Sequence, residues 1–227
     1  MARGFKAPEL RAVVEGYAYL RRNRFVMLGN PDLKPETSTN YEVSALWSNR
    51  DNLQAGATLF YNDFQDKLST VTTDRLWNGY IVMDRVNVDK AVIRGVELTG
   101  QWDISRDVLL KGNYTYTDSE QKSGANAGAP LALTPKQKAS LRSEWRLSDR
   151  AQAWAAVSYY GEEYGNTVTA ESAPGYTTAD IGGSLDVTDA LTLNASLNNI
   201  TDKRLDDETY GTVNYGRTLW MGATYNF

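Results

Sequence analysis

The sequence predicts an all-β fold, an antiparallel meander of about nine strands with a stub before the first. Three observations carry that reading. Apolar and polar residues alternate at period two along most of the 227 residues. Tight turns alternate with long polar segments. Aromatic residues are sorted along the apolar face, Trp towards one end and Tyr towards the other.

Taken in order, the stub spans residues 2–5, and the first full strand closes at Trp47 before a tight turn around Arg50-Asp51. In "LQAGATLFYND" the apolar Leu53, Ala55, Ala57, Leu59 and Tyr61 face Gln54, Gly56, Thr58 and Asn62, with Phe60 as the exception. The next strand slips phase. Ala91 and Ile93 are apolar at odd positions, then Val96, Leu98 and Trp102 at even ones, which predicts a β-bulge at Arg94-Gly95. "VLLKGNYTYTD" sets Val108, Leu110, Gly112, Tyr114 and Tyr116 against Lys111, Asn113, Thr115 and Thr117. "ASLRSEWRL" sets Ala139, Leu141, Trp145 and Leu147 against Ser140, Arg142, Glu144 and Arg146. "AQAWAAVSYYG", "TTADIGGSLDV" and "LTLNASLNN" alternate alike, and a final strand runs from Thr218 to the terminal Phe227. Tight turns are expected around Arg50-Asp51, Ser105-Arg106, Ser148-Asp149 and Thr188-Asp189, and long loops at 67–79, 119–137, 162–174 and 200–215.

Composition removes several function classes. The chain has no Cys and no His, so it offers no disulfide, no thiolate metal site and none of the commonest general base. A net charge of −4 argues against binding to nucleic acid phosphates. No run of 18 apolar residues exists, so no transmembrane helix is expected, and residues 1–20 carry no signal peptide.

A soluble sandwich or lipocalin-like barrel would also alternate. Aromatic placement separates the two. Trp47, Trp102 and Trp145 lie on the apolar face just before short turns, whereas Tyr61, Tyr116 and Tyr159 lie on that face near the long loops. Two aromatic bands flanking an aliphatic stripe fit the girdles of an outer-membrane barrel, with short periplasmic turns and long extracellular loops. The opposite face carries Lys111, Arg142, Glu144, Arg146 and Asp180, which suits a wet lumen. Phe227 then falls in the periplasmic girdle.

Four stretches carry a family resemblance. "RGFKAPEL" (3–10) and "GNPDLKPETSTNYE" (29–42) resemble the paired boxes around a long extracellular loop in TonB-dependent outer-membrane receptors. "NVDKAVIRGVEL" (87–98) resembles their strand with a Gly-Val-Glu bulge, and "LNNITDKRL" (197–205) with "GRTLWMGATYNF" (216–227) their last hairpin. "NYTYTD", "PGYTTADIGGSLDVT" and "DKRLDDETYG" are most similar to the catecholate-siderophore and colicin I receptor group.

The resemblance implies that residues 1–227 are the C-terminal part of a 22-stranded outer-membrane β-barrel. Such a barrel needs roughly 520 residues besides its plug. Plug, TonB box and signal peptide are therefore expected to be absent here, as in a truncated product, a partial gene or an expressed fragment. It further implies the outer membrane of a Gram-negative bacterium and uptake of a ferric siderophore, a catecholate first. Implied partners are the TonB complex through the missing N-terminal part, outer-membrane lipid and lipopolysaccharide, and the barrel-assembly machinery through Phe227. Colicin or phage are further options.

Candidate ligand-binding residues come from "YAYLRRNRF" (17–25), where Tyr17, Tyr19, Arg21, Arg22 and Arg24 combine cations with rings. A ferric catecholate is a compact aromatic polyanion, so charge plus stacking is suitable chemistry. The bland alternative is a solvated loop that meets lipopolysaccharide or nothing. Trp77 and Tyr80 in "RLWNGY" form a second candidate, with loop packing as its alternative. The Pro and Gly of "GNPDLKPE" can simply set a rigid turn, and Glu97 is expected to make a structural contact with lumen or plug. No catalytic residue, metal ligand or cofactor is expected. Outer-membrane proteases and lipases use His, and haem receptors place a His between the two boxes, where residues 11–28 have none. Competing readings are a barrel remnant without transport, and a receptor for haem, cobalamin or colicin.

Overall fold

Each short turn opens on a residue whose side chain satisfies the turn's own amides. The Asn49 Oδ1 accepts from the amides of Asp51, Asn52 and Leu53 at 2.9–3.0 Å. Ser105 and Ser148 accept from the amides of Asp107 and Arg150 at 3.2 and 3.3 Å, and Thr188 from those of Ala190 and Leu191. Asx and hydroxyl turns of this kind fix where one strand stops and the next begins.

The computed structural model describes residues 1–21, 25–123, 127–132, 134–164, 172–210, 214 and 216–227. Its elements are β1 (Ala2–Lys6), α1 (Leu10–Val13), β2 (Ala18–Arg21), β3 (Phe25–Leu28), β4 (Glu36–Ser48), β5 (Leu53–Trp77), β6 (Tyr80–Ser105), β7 (Val108–Gln121), β8 (Gln137–Ser148), β9 (Ala151–Tyr160), β10 (Tyr176–Asp186), β11 (Leu191–Asn198), α2 (Asp207–Tyr210) and β12 (Thr218–Tyr225). The sheet order is β1-β4-β5-β6-β7-β8-β9-β10-β11-β12, with β2 and β3 attached beside it. The expected meander of nine strands and a stub is β4–β12 with β1, and both described helices are only four residues long.

The chain forms two compact units. One comprises residues 43–59, 95–118 and 131–227. Its register matches the face assignment. Leu141 lies opposite Gly112 and Val157, Val157 opposite Ala179, and Ile181 opposite Ala155 and Leu197. Leu193 lies opposite Leu185 and Ala223, and Ala195 opposite Met221. Directly paired residues share a face, so Leu110, Leu141, Val157, Ile181, Leu193 and Met221 form one apolar surface. That surface is not a core: Leu59 is 62%, Leu141 51% and Met221 71% exposed. An uncovered aliphatic face of this extent marks a surface that meets lipid or another protein, not water. The apolar side chains buried in this unit, Leu131, Ala173, Leu205 and Tyr210, come instead from the long connections.

The opposite face is polar, as expected. Lys111 pairs with Arg142 and Asn113 with Ser140 across β7–β8. Glu144 accepts from Arg142 Nε at 2.7 Å and from Lys111 Nζ at 3.3 Å, and Arg146 meets Asp107 at 3.1 Å. Trp154 and Trp220, by their register positions, also fall on this side, the guanidinium of Arg142 lying 4.0 Å from the Trp154 ring centroid.

The other unit comprises residues 1–42, 60–94 and 119–130. Two expectations are corrected here and one in the last strand. Residues 67–79 do not form a loop: β5 and β6 run for 25 and 26 residues, meeting at Asn78-Gly79. A membrane crossing takes about 9–11 residues, so this hairpin continues well past it. Both turn residues have positive φ, 48° and 84°, the geometry that matches strand twist in a two-residue hairpin. Within the first long segment, β2 and β3 form a hairpin of their own, and β3 runs parallel to β6 with Phe25 opposite Ile81 and Leu28 opposite Asp84. Finally β12 ends at Tyr225, two residues before the terminus, although the Asn226 amide still reaches Ala190 O at 2.9 Å. Strand β6 is continuous across Arg94-Gly95.

Candidate functional site

The residues between β1 and β4 are held by backbone and side-chain bonds to β5 and β6. β1 pairs with the start of β4, Lys6 opposite Glu36. The Glu36 carboxylate, buried to 8% exposure, accepts from the Leu68 amide at 3.0 Å. Asn30 Nδ2 donates to Arg85 O at 3.0 Å, while Asn87 accepts from the Lys34 amide and donates to Lys34 O and Asp66 O. A Cβ on Gly29 would lie 1.9 Å from Val14 O, so no other residue fits there. In "GNPDLKPE", then, Gly29, Asn30, Lys34 and Glu36 bind the scaffold.

The parallel docking of β3 has an identifiable cause. The Lys122 amide bonds Lys90 O at 2.8 Å, and β7 has ended by that point. The stretch of β6 over residues 81–84 would otherwise expose an unpaired edge, and β3 occupies it. Phe25, Val26, Met27 and Val82 become buried as a result.

This docking brings Tyr19 and Arg21 of β2 next to Tyr80 of β6 in the sheet, with β3 between them. Arg21 lies opposite Phe25, and Phe25 opposite Ile81, the neighbour of Tyr80. Alternation puts Tyr19 and Arg21 on the side of Phe25 and Ile81, whereas Trp77 and Tyr80, opposite one another at the hairpin tip, belong to the other side. The two candidate groups are thus adjacent in the sheet but on opposite faces. Tyr17, Tyr19 and Trp77 are exposed, Arg21 and Tyr80 half-buried. Arg22 and Arg24 lie outside the described residues.

Sequence reasoning misses Arg11. Its guanidinium stands 5.3 Å from the Tyr19 ring centroid, and its Nε meets Glu9 Oε2 at 2.6 Å. The hydrogen bond and charge of Arg11 hold the Glu9 carboxyl below its usual range, and Glu9 in turn raises Arg11. In sequence the "APEL" box is only a flank of the loop, and nothing local in it says that Arg11 returns to a tyrosine eight positions on. Tyr160, Tyr176 and Tyr210 are missed likewise, two of them being plain members of alternating strands. Among the described residues no group of three or more His, Cys, Asp or Glu could hold a metal ion. The chemistry on offer in the patch around Tyr19 is cation and aromatic ring, suited to an anion with an aromatic face.

Comparison with known proteins agrees with this architecture. A family profile described as "TonB dependent receptor-like, beta-barrel" matches residues 2–200. An iron-regulated outer membrane virulence protein of Vibrio cholerae is 38% identical over 99% of this chain and 36% of its own length. A vitamin B12 transporter of Photobacterium profundum is 31% identical over 88% of this chain and 32% of its own. Among solved structures, the ferric enterobactin receptor of Pseudomonas aeruginosa superposes with a TM-score of 0.76 at 25% identity, covering 99% of this chain and 37% of that one. The chain spans about a third of the length of each of these relatives.

Proposed function

The chain belongs to the family of TonB-dependent receptor-like β-barrels of the Gram-negative outer membrane, and from that premise we propose that it forms part of a receptor for ferric-siderophore uptake, with catecholates as the preferred class. The observation that carries this reading is the Arg11–Tyr19 pair beside Arg21, a cation and an exposed ring at the loop end of the strands. A ferric catecholate presents negative charge and aromatic faces together, so one side chain pair can answer both. Haem or cobalamin uptake would draw on other chemistry, and the first of these usually on His, of which the chain has none. The relatives' names support iron and siderophore transport, while the vitamin B12 transporter among them defines the rival ligand.

Energy for transport would come from the TonB complex, acting through parts of the receptor outside this segment. Radioactive iron uptake by iron-starved cells tests the reading, in a strain whose other siderophore receptors have been deleted. Uptake from a ferric catecholate, and not from a ferric hydroxamate or cobalamin, is expected. Cobalamin uptake without catecholate uptake would overturn it.

A further inference from the structure

A second aromatic group stands at the loop end of β8, β9 and β10. Lys138 lies opposite Tyr160, and Tyr160 opposite Tyr176, in one row on the polar face that also holds Arg142 and Asp180. The Tyr160 and Tyr176 rings are stacked, 5.0 Å between centroids with an 18° interplanar angle, and Tyr210 meets Tyr176 edge-on at 5.6 Å. Two ammonium groups attend them. Lys138 Nζ stands 6.0 Å from the Tyr160 centroid, and Lys203 Nζ stands 4.9 Å from that of Tyr210 and donates to its hydroxyl at 2.9 Å. Between Pro135, Lys138, Tyr160, Glu163, Tyr176 and Tyr210 lies a cavity of about 220 Å³.

The cavity is built. Two of its lining residues, Ala173 and Tyr210, are buried in a cluster with Leu205. Its wall is braced by reciprocal backbone bonds between Glu163 and Ala173, at 2.8 and 3.1 Å, and by the Gly161 amide on Gln137 O at 2.7 Å. A Cβ at Gly161 would come within 2.9 Å of that same carbonyl, which keeps the wall close. Yet Tyr160 remains 38% exposed and Lys138 is exposed, so part of the ring and the cation beside it are reachable from solvent. Lys138 is the one cation among the lining residues and Glu163 the one carboxylate, while Lys203 stands behind Tyr210 on its hydroxyl. The volume is below the roughly 300–1,000 Å³ of sites that enclose drug-sized ligands, so it suits one ring of a larger molecule.

We propose that this pocket seats a single anionic aromatic ring, a catecholate arm of the ferric siderophore, stacked on Tyr160 with its oxygens towards Lys138. The proposal rests on the siderophore reading above and assigns it a second contact site on the polar face. Stacking selects a planar ring, and an ammonium beside the ring edge selects an ionised oxygen on it. A hydroxamate arm has the charge but no ring, and gains only half of the interaction.

The test uses the complete receptor in outer membranes from the cells that make it, with ferric enterobactin and 2,3-dihydroxybenzoate as probes. Lys138→Gln with Lys203→Gln is expected to weaken ferric enterobactin binding at least tenfold and to flatten its dependence on NaCl concentration. Tyr160→Leu should weaken binding similarly, while Tyr160→Phe should retain it within about threefold, since the ring is kept. Heat-modifiable mobility on gels shows that each variant still folds its barrel. Tight ferric enterobactin binding, unchanged in the folded lysine and Tyr160→Leu variants, removes the pocket and leaves the siderophore reading intact. Failure to bind ferric enterobactin, with 2,3-dihydroxybenzoate still bound in a Lys138-dependent way, keeps the pocket and removes that reading.

Discussion

The indole of Trp154 occupies the space that a side chain at Gly182 would need. A Cβ there would lie 2.6 Å from the ring and 2.9 Å from Ala195 O. The two residues are directly paired across β9 and β10, and Arg142 covers the Trp154 ring at 4.0 Å. Gly182→Val is therefore expected to displace the indole and separate it from Arg142. Overpacking of this sort costs about 1–3 kcal/mol. The midpoint of heat modification on gels should fall, and an unchanged midpoint would show that Trp154 has another place to go.

The Asn78-Gly79 turn should not tolerate a β-branched residue. Gly79 has φ of 84° and nothing within 4 Å of the place a Cβ would take, so conformation, not space, is what a side chain would violate. Gly79→Val is expected to destabilise the hairpin tip by about 1–2 kcal/mol. Protease cleavage between Trp77 and Tyr80 on intact cells should accelerate, with β8–β12 unaffected.

The loop before β12 should loosen in acid. Asp202 Oδ1 accepts from the Arg217 amide at 2.9 Å, and this bond, reinforced by Arg204 and Arg217, holds the Asp202 carboxyl below its usual range. A depressed carboxyl stabilises above the ordinary carboxylate range near pH 4 and loses that contribution as pH falls through the lowered value. Hydrogen exchange at the Arg217 amide should thus quicken below about pH 4, relative to neighbouring strand amides. Asp202→Asn should show the fast exchange at every pH.

The basic loop tests the proposed function most directly. Residues 1–25 contain six Arg or Lys against two Glu. Replacing Arg21, Arg22 and Arg24 by Ala should weaken ferric-catecholate binding at least about tenfold, some 1.4 kcal/mol. Barrel assembly should be intact. Full affinity in that variant, with normal surface expression, would place recognition elsewhere.

Much of the scaffold is legible in the sequence because its causes are local. Alternation at period two decides which of Leu141, Arg142 and Val157 face together, and Asn49, Ser105, Ser148 and Thr188 mark the turns. The hairpin at Asn78-Gly79 has a local signal too, an Asn-Gly pair flanked by "RLW" and "YIVM". The polar residues before that pair outweigh it in sequence, which is why 67–79 reads as a loop there and proves to be strand.

What the sequence by itself determined is therefore the strand set, its two faces and the residue types available to a ligand. Only the tertiary structure decided where those residues meet. The parallel pairing of Phe25 with Ile81 answers an edge left bare where β7 stops, and the stack of Tyr160, Tyr176 and Tyr210 joins two strands to a distant connection. Neither has a periodic signature, since each depends on which backbone edge or ring face remains unsatisfied once the other strands have paired.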